Sequence, residues 1–212
     1  MDFTKGLSTT QLDALKEIGN IGAGNAATSM SQLLNKKIDM HVPSVKIIPF
    51  DEVMEMIGGP ENLIVAIMIR IQGNAPGTVF FILSIDEASN LVRQITSDTE
   101  FRIVADQPPS GLAVSALQEV GNILAGSYLS ALSDFTGINM QPSVPSLSID
   151  MAGAILTAGL IKLSQVMDYA VIIDTTINEN NSENGVNGKF FLLPDPESFD
   201  QIFKSIGISS HE

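Results

Sequence analysis

Two periodicities alternate along the chain. From Thr10 to Leu34, and again from Leu112 to Ser133, apolar residues recur every three or four positions, the spacing that gathers them on one stripe of an α-helix. A strand-like run associated with a proline follows each of these segments, SVKIIPF from Ser44 to Phe50 and SVPSLSI from Ser143 to Ile149. In the first half, a short helix from Asp51 to Ile57 then leads to two apolar runs, Leu63 to Ile71 and Thr78 to Leu83. The segment GNAPG between them is expected to turn, and a helix from Asp86 to Ile95 closes the half. The second half is expected to form strands at Tyr169 to Ile177 and Gly188 to Leu193, then a helix from Pro196 to Ile206 entered through Asp-Pro. Its hairpin loop, Asn178 to Asn187, is longer and polar and is expected to be mobile. Residues Ser97 to Ser110 join the halves.

The halves are related. DALKEIGNIGAG, Asp13 to Gly24, recurs as SALQEVGNILAG, Ser115 to Gly126, and VPS at Val42 to Ser44 recurs at Val144 to Ser146, both 102 positions later. The expected architecture is α+β, a tandem duplication with pseudo-twofold symmetry in which each half reads helix-strand-helix-strand-strand-helix and the long helices pack on a β-sheet. One domain of two repeats, about 8–96 and 111–208, accounts for all 212 residues.

Composition narrows the chemistry. Eleven Lys and Arg against twenty-four Asp and Glu give a formal charge of −13, which disfavours nucleic acid and anionic membrane surfaces as partners. With no cysteine, the chain has no disulfide, thiolate nucleophile or Cys-ligated metal. Two histidines, His41 and His211, are too few and too far apart for a His-based metal cluster or hydrolytic triad, so no metal site is expected. The N-terminus lacks the pattern of a signal peptide, and the longest apolar run, Leu63 to Ile69, is far short of the roughly 20 residues that span a bilayer. A cytoplasmic protein without membrane insertion is the expectation. Turns at Gly58-Gly59-Pro60 and Gly73 to Gly77 are not followed by a helix carrying Lys-Ser/Thr and do not read as phosphate loops.

What remains is a polar stripe. On a helix, Asp13, Glu17, Asn20 and Gly24 fall within roughly 60° of one another, with Leu15, Ile18, Gly22, Ala26 and Leu33 on the opposite side. Ser115, Glu119, Asn122 and Gly126 repeat the stripe in front of Leu117, Val120 and Leu124. A single exposed Glu and Asn would ordinarily be a solvated face. Here the pair is retained at both positions while its neighbours drift, Lys16 against Gln118 and Asn25 against Ser127. Gly19, Gly22 and Gly24 each cost about 1 kcal/mol relative to Ala inside a helix, so something offsets that cost. Gly22 is expected to permit close packing, and Gly24 and Gly126 to let another backbone approach the stripe. Asn has no titratable proton near neutral pH, but its amide both accepts and donates and can orient a water. That suits phosphoryl transfer, where alignment and charge neutralisation do most of the work.

The spacing of Asp or Ser, Glu four residues on, Asn three further and Pro after another twenty-two residues occurs at Asp13, Glu17, Asn20 and Pro43, and at Ser115, Glu119, Asn122 and Pro145. It resembles the signature of the CheC-type phosphatases of bacterial chemotaxis, over nearly the whole chain. The resemblance implies hydrolysis of the aspartyl-phosphate of the response regulator CheY. It implies that Asn20 and Asn122 insert into the regulator's site and orient the attacking water, and that Glu17 and Glu119 pair with the regulator's active-site Lys. Mg²⁺ would be held by the regulator, with no cofactor on this chain. Asp13 and Ser115 are expected to dock or cap rather than react, and Pro43 and Pro145 to set the turn into the next strand. Both sites are expected to be competent. Residues 150–161 read as a core helix; an exposed side there would be a docking segment for the receptor deamidase CheD, which the resemblance supplies as a partner. The alternative is a non-catalytic, flagellar-switch-like adaptor binding phosphorylated CheY and CheD. The short stretch after the last expected helix favours the stand-alone protein over such relatives.

Overall fold

A computed structural model describes residues 9–104, 107–157, 169–179 and 185–205. The long amphipathic segments form α1 (Thr9–Leu34) and α4 (Gly111–Thr136), each 26 residues long. Helix α4 is bounded at both ends by side-chain and backbone chemistry: Ser110 accepts from the Ala113 amide, and Gly137 closes the helix in the left-handed region at φ 68°. The remaining elements are β1 (Ile38–His41), β2 (Val45–Pro49), α2 (Phe50–Met56), β3 (Leu63–Gly73), β4 (Gly77–Ser84), α3 (Ile85–Thr96), β5 (Met140–Pro142), β6 (Ser146–Met151), α5 (152–157), β7 (Tyr169–Glu179), β8 (Val186–Pro194) and α6 (Pro196–Ser205). Ser84 and Glu87 form a reciprocal capping box at the start of α3.

The strands make one antiparallel sheet in the order β1-β7-β8-β4-β3-β5, with β2 also on β7 and β6 also on β3. Edge strands of each half therefore pair with the hairpin of the other. Val45 stands opposite Ile173, and Leu147 opposite Ile67. At the centre β4 and β8 pair Phe81 with Phe190 and Phe80 with Phe191.

Strand β4 is apolar from Val79 to Leu83 because both its faces are covered. Val79, Phe81 and Leu83 belong to a core shared with α1, α3, α4 and α6, through residues such as Ile18, Leu91, Leu117 and Phe203. Phe80 and Ile82 face a second core under α2 and α5, with Val53, Ile57, Ala152 and Leu156. Fully burying each such side chain contributes about 1.5–3 kcal/mol.

The expected helices and strands are found with ends shifted by up to three residues. Two strands were not expected. β1 and β5, four and three residues long, sit at the sheet's edges and take their shape from partners on β7 and β3, so their own sequences carry little alternation. Each half accordingly has one strand more than the helix-strand-helix-strand-strand-helix pattern. Leu33, assigned to the inner side of α1, is 46% exposed because Met30 and Leu34 take the inward positions at the end of the helix. Within the expected mobile loop, β7 continues through Glu179 and β8 begins at Val186; the residues between, 180–184, lie outside the described ones.

Candidate functional site

Helices α1 and α4 lie side by side over one face of the sheet. They meet where Gly22 faces Tyr128: a Cβ at Gly22 would stand 2.6 Å from Tyr128 Cδ1 and 3.0 Å from its Cα. The Tyr128 hydroxyl shares a hydrogen bond of 3.0 Å with Thr175, and burial pushes its pKa up to about 12 against the opposing effect of that bond. The phenol is therefore a neutral packing group. Gly121 has a similar internal reason, since a Cβ there would lie 2.5 Å from Ile67 Cγ2. Gly24 and Gly126 differ, because nothing stands within 4 Å of where their Cβ would be. The expected packing role of Gly22 is thus observed, while the space over Gly24 and Gly126 is open.

The stripes face outward. Asp13, Glu17 and Gly24 on α1, and Ser115, Glu119 and Asn122 on α4, are exposed; Asn20 and Gly126 are half-buried. Behind them Leu15, Ile18, Ala26, Leu117, Val120 and Leu124 are buried. The apolar side of each helix anchors it and leaves the carboxylate and amide on the outside. Pro43 lies in the link between β1 and β2, and Pro145 immediately precedes β6, so both turn the chain into the strand that follows.

The two amides are held differently. Asn20 Oδ1 accepts the Val42 amide at 2.9 Å and its Nδ2 donates to the Lys16 carbonyl at 3.0 Å. Val42 is only 2% exposed. On α4, Gln118 Nε2 donates to the Pro145 carbonyl at 3.1 Å, and the Asn122 side chain has no hydrogen-bond partner among the described residues. Val144, which stands where Val42 stands in the other half, is 86% exposed.

The link 42–44 is anchored further along. Ser44 Oγ donates to Asp174, whose amide donates to the Ser44 carbonyl at 3.0 Å. Lys189 Nζ lies 3.1 Å and Lys46 Nζ 3.6 Å from the same carboxylate. Burial raises the Asp174 pKa, but the Ser44 hydrogen bond and the two ammonium groups outweigh it and hold the carboxyl below its usual value. In the other half Ser146 stands opposite Met68, which is 40% exposed. Sequence reasoning did not find the Asn20–Val42 bond or the Asp174 anchor. The one signal was the drift of Lys16 to Gln118.

Of two surface recesses, of about 330 and 550 Å³, neither is lined by Glu17, Asn20, Glu119 or Asn122; the larger begins at Gly24, at the end of the α1 stripe, and runs on between α1 and β1. Among the described residues no three His, Asp or Glu side chains are grouped as metal ligands, and no helix is long and apolar enough to cross a membrane. In the segment 150–161, Ala152 and Leu156 are buried under the sheet, Met151 and Ala154 are exposed, and Ala158 onward lies outside the described residues.

A model of the CheC-like family matches residues 11–47 and 112–149, two stretches that contain both copies of the Glu–Asn–Pro spacing. The CheY-P phosphatase CheC of Bacillus subtilis (strain 168) is 42% identical over 209 residues, covering 99% of this chain and 100% of that protein. Among solved structures, the crystal structure of Thermotoga maritima FliY is similar at a TM-score of 0.72 and 19% identity, covering 95% of this chain and 98% of that one. A chain of the CheX–CheY–BeF₃–Mg²⁺ complex from Borrelia burgdorferi is similar at a TM-score of 0.50 and 15% identity, covering 82% and 95%. At these identities the two structures share the fold with this chain: helices packed on an antiparallel sheet.

Proposed function

The chain belongs to the CheC-like family and is a phosphatase, and from that premise we propose that its substrate is the aspartyl-phosphate of the response regulator CheY, hydrolysed in the cytoplasm. The observation that carries this reading is the full-length match to a CheY-P phosphatase, combined with a Glu–Asn pair on the outer face of both α1 and α4. Asn122 and Asn20 are the amides that enter the regulator's site. Each accepts from and donates to one water, aligning its lone pair with phosphorus. The water oxygen bonds to phosphorus as the bond to the aspartyl oxygen breaks, the water's proton is lost to solvent or phosphate, and carboxylate and inorganic phosphate are released. Glu17 and Glu119 pair with the regulator's Lys and fix the docking. Mg²⁺ is the regulator's own. Asp13, Ser115, Gly24 and Gly126 border the docking face, where the open space over both glycines admits a partner's backbone.

The chain is one domain of two repeats, about 8–96 and 111–208. Support comes from the repeated spacing, from the family match in two stretches and from the exchange of edge strands between halves. The exposed Met151 and Ala154 on the segment 150–161 support CheD as a second partner. Changing Ala154 to Asp is expected to weaken CheD binding without unfolding the protein; intact binding removes that partner.

Phosphate release from CheY charged with acetyl phosphate tests the main reading. Acceleration by this protein is expected, and loss of that acceleration in Asn20→Ala/Asn122→Ala. Wild-type turnover by the double variant overturns the assignment, and binding without acceleration identifies a non-catalytic adaptor instead.

A further inference from the structure

We propose that the link Val42–Ser44 is an internal competitor for the Asn20 amide, kept seated by Ser44 and Asp174 as positioning residues, so that α1 carries the slower site and α4 the faster one. This inference rests on the phosphatase reading of the two Asn side chains. An Asn that must accept from and donate to a water has to turn both its oxygen and an N–H to the partner, and one bonded at both ends is fixed in another orientation with one lone pair and one N–H left. Asn20 Oδ1 already accepts from Val42 N, and its Nδ2 is turned back to the Lys16 carbonyl. Withdrawing the amide strands the Val42 N–H beside a buried side chain, and a buried donor without a partner is costly. The link cannot swing out to follow it. Ser44 is held by its hydroxyl and its carbonyl to Asp174, whose carboxylate is in turn held by Lys46 and Lys189.

Helix α4 lacks both halves of this device. The link before β6 is clamped by Gln118 on Pro145 and by Ser143, whose hydroxyl accepts the Arg70 amide at 3.0 Å and whose amide donates to the Arg70 carbonyl at 2.8 Å. Met68 occupies the position corresponding to Asp174, so Ser146 has no carboxylate to hold it. Gln118 holds this link by donating to a carbonyl, where Asn20 holds the other by accepting from an N–H, and Asn122 is left uncommitted.

Single-site variants read this directly. Asn20→Ala, which leaves α4 alone, is expected to keep most of the CheY-P dephosphorylation rate, whereas Asn122→Ala, which leaves α1 alone, is expected to be at least tenfold slower. In the Asn122→Ala background, Ser44→Ala is expected to raise the rate several-fold and to speed hydrogen exchange at the Val42 amide, and Ser44→Thr, which keeps the hydroxyl, is expected to do neither. Equal single-site rates overturn the proposal. So does faster Val42 exchange without a faster rate, and so does unchanged exchange, which would show that Ser44 does not seat the link. Circular dichroism on each variant separates these outcomes from unfolding; should Ser44→Ala fail to fold, Asp174→Ala in the same background, which removes the acceptor of the Ser44 hydroxyl, decides in its place with the same two readouts. Wild-type turnover by the Asn20→Ala/Asn122→Ala variant would instead sink the underlying reading of the sites.

Discussion

Helices α1 and α4 present the same Glu–Asn stripe, yet their surroundings divide the work differently. On α1 the amide serves the fold, accepting the N–H of a link that is anchored by a carboxylate on β7; on α4 Gln118 holds the link by its Pro145 carbonyl instead, and the Asn122 amide faces solvent. The carboxylates do not share in this difference, since Glu17 and Glu119 are both exposed. Identical motifs are therefore not identical sites. A short polar side chain can be either structural or functional, and which it becomes here depends on whether the fold brings a buried backbone N–H to it, as at Val42, or leaves that position exposed, as at Val144.

The comparison can be pressed at the helix–helix seam first. There α1 supplies the gap and α4 the bulk, so Gly22→Ala is expected to destabilise the protein by about 1–3 kcal/mol in denaturant unfolding, through overpacking against Tyr128. A neutral result would mean the seam is loose. The carboxylates give the next largest effect. Glu17→Gln and Glu119→Gln are each expected to weaken regulator binding by about tenfold or less and to a like extent, while only Glu119→Gln strongly lowers turnover; titration of the regulator against each variant separates the two. Unequal binding losses would place the difference between the helices in docking rather than in the amide.

Smaller still is the effect at the open glycines. Gly24→Ala and Gly126→Ala meet no internal atom within 4 Å, so each is expected to stabilise the fold by up to about 1 kcal/mol while lowering CheY-P turnover. Stabilisation with unchanged turnover would remove these positions from the docking face. Last comes acidity. The Asp174 carboxyl is held below its unfolded value of about 3.9, so its anchor contributes fully above that pH and is lost as pH falls through the lower, folded value. Thermal unfolding of the wild type and Asp174→Asn is expected to differ at neutral pH and to converge once acid has protonated the folded-state carboxyl. The link before β6, facing Met68, has no such titration.

Much of this was legible in the chain itself. The 3.6-residue period of α1 and α4, the alternation and turn residues of β3 and β4, and the 102-residue offset are local or self-referential patterns, and they placed Glu17, Asn20, Glu119 and Asn122 on outward helix faces before any coordinates. The short strands β1 and β5 were not legible, because three or four residues at a sheet edge take their conformation from a partner distant in the chain, as Ile38 does from Glu179 and Met140 from Gly73. Leu33 was misplaced for a related reason: a helical period says which side is apolar but not which of the neighbouring apolar residues turns inward, and here Met30 and Leu34 do.

The sequence by itself determined the helices, the longer strands, the stripe and the family, since each is written in short-range spacing that survives without a fold. Only the tertiary structure decided that each half lends its edge strands to the other, that Tyr128 fills the gap at Gly22, and that Asn20 is engaged where Asn122 is free. These depend on which groups meet across large sequence separations. A hydrogen-bond donor such as Val42 N–H has no partner inscribed in its own neighbourhood, and the packing of α1 against β1 and β2 is what brings Asn20 to it.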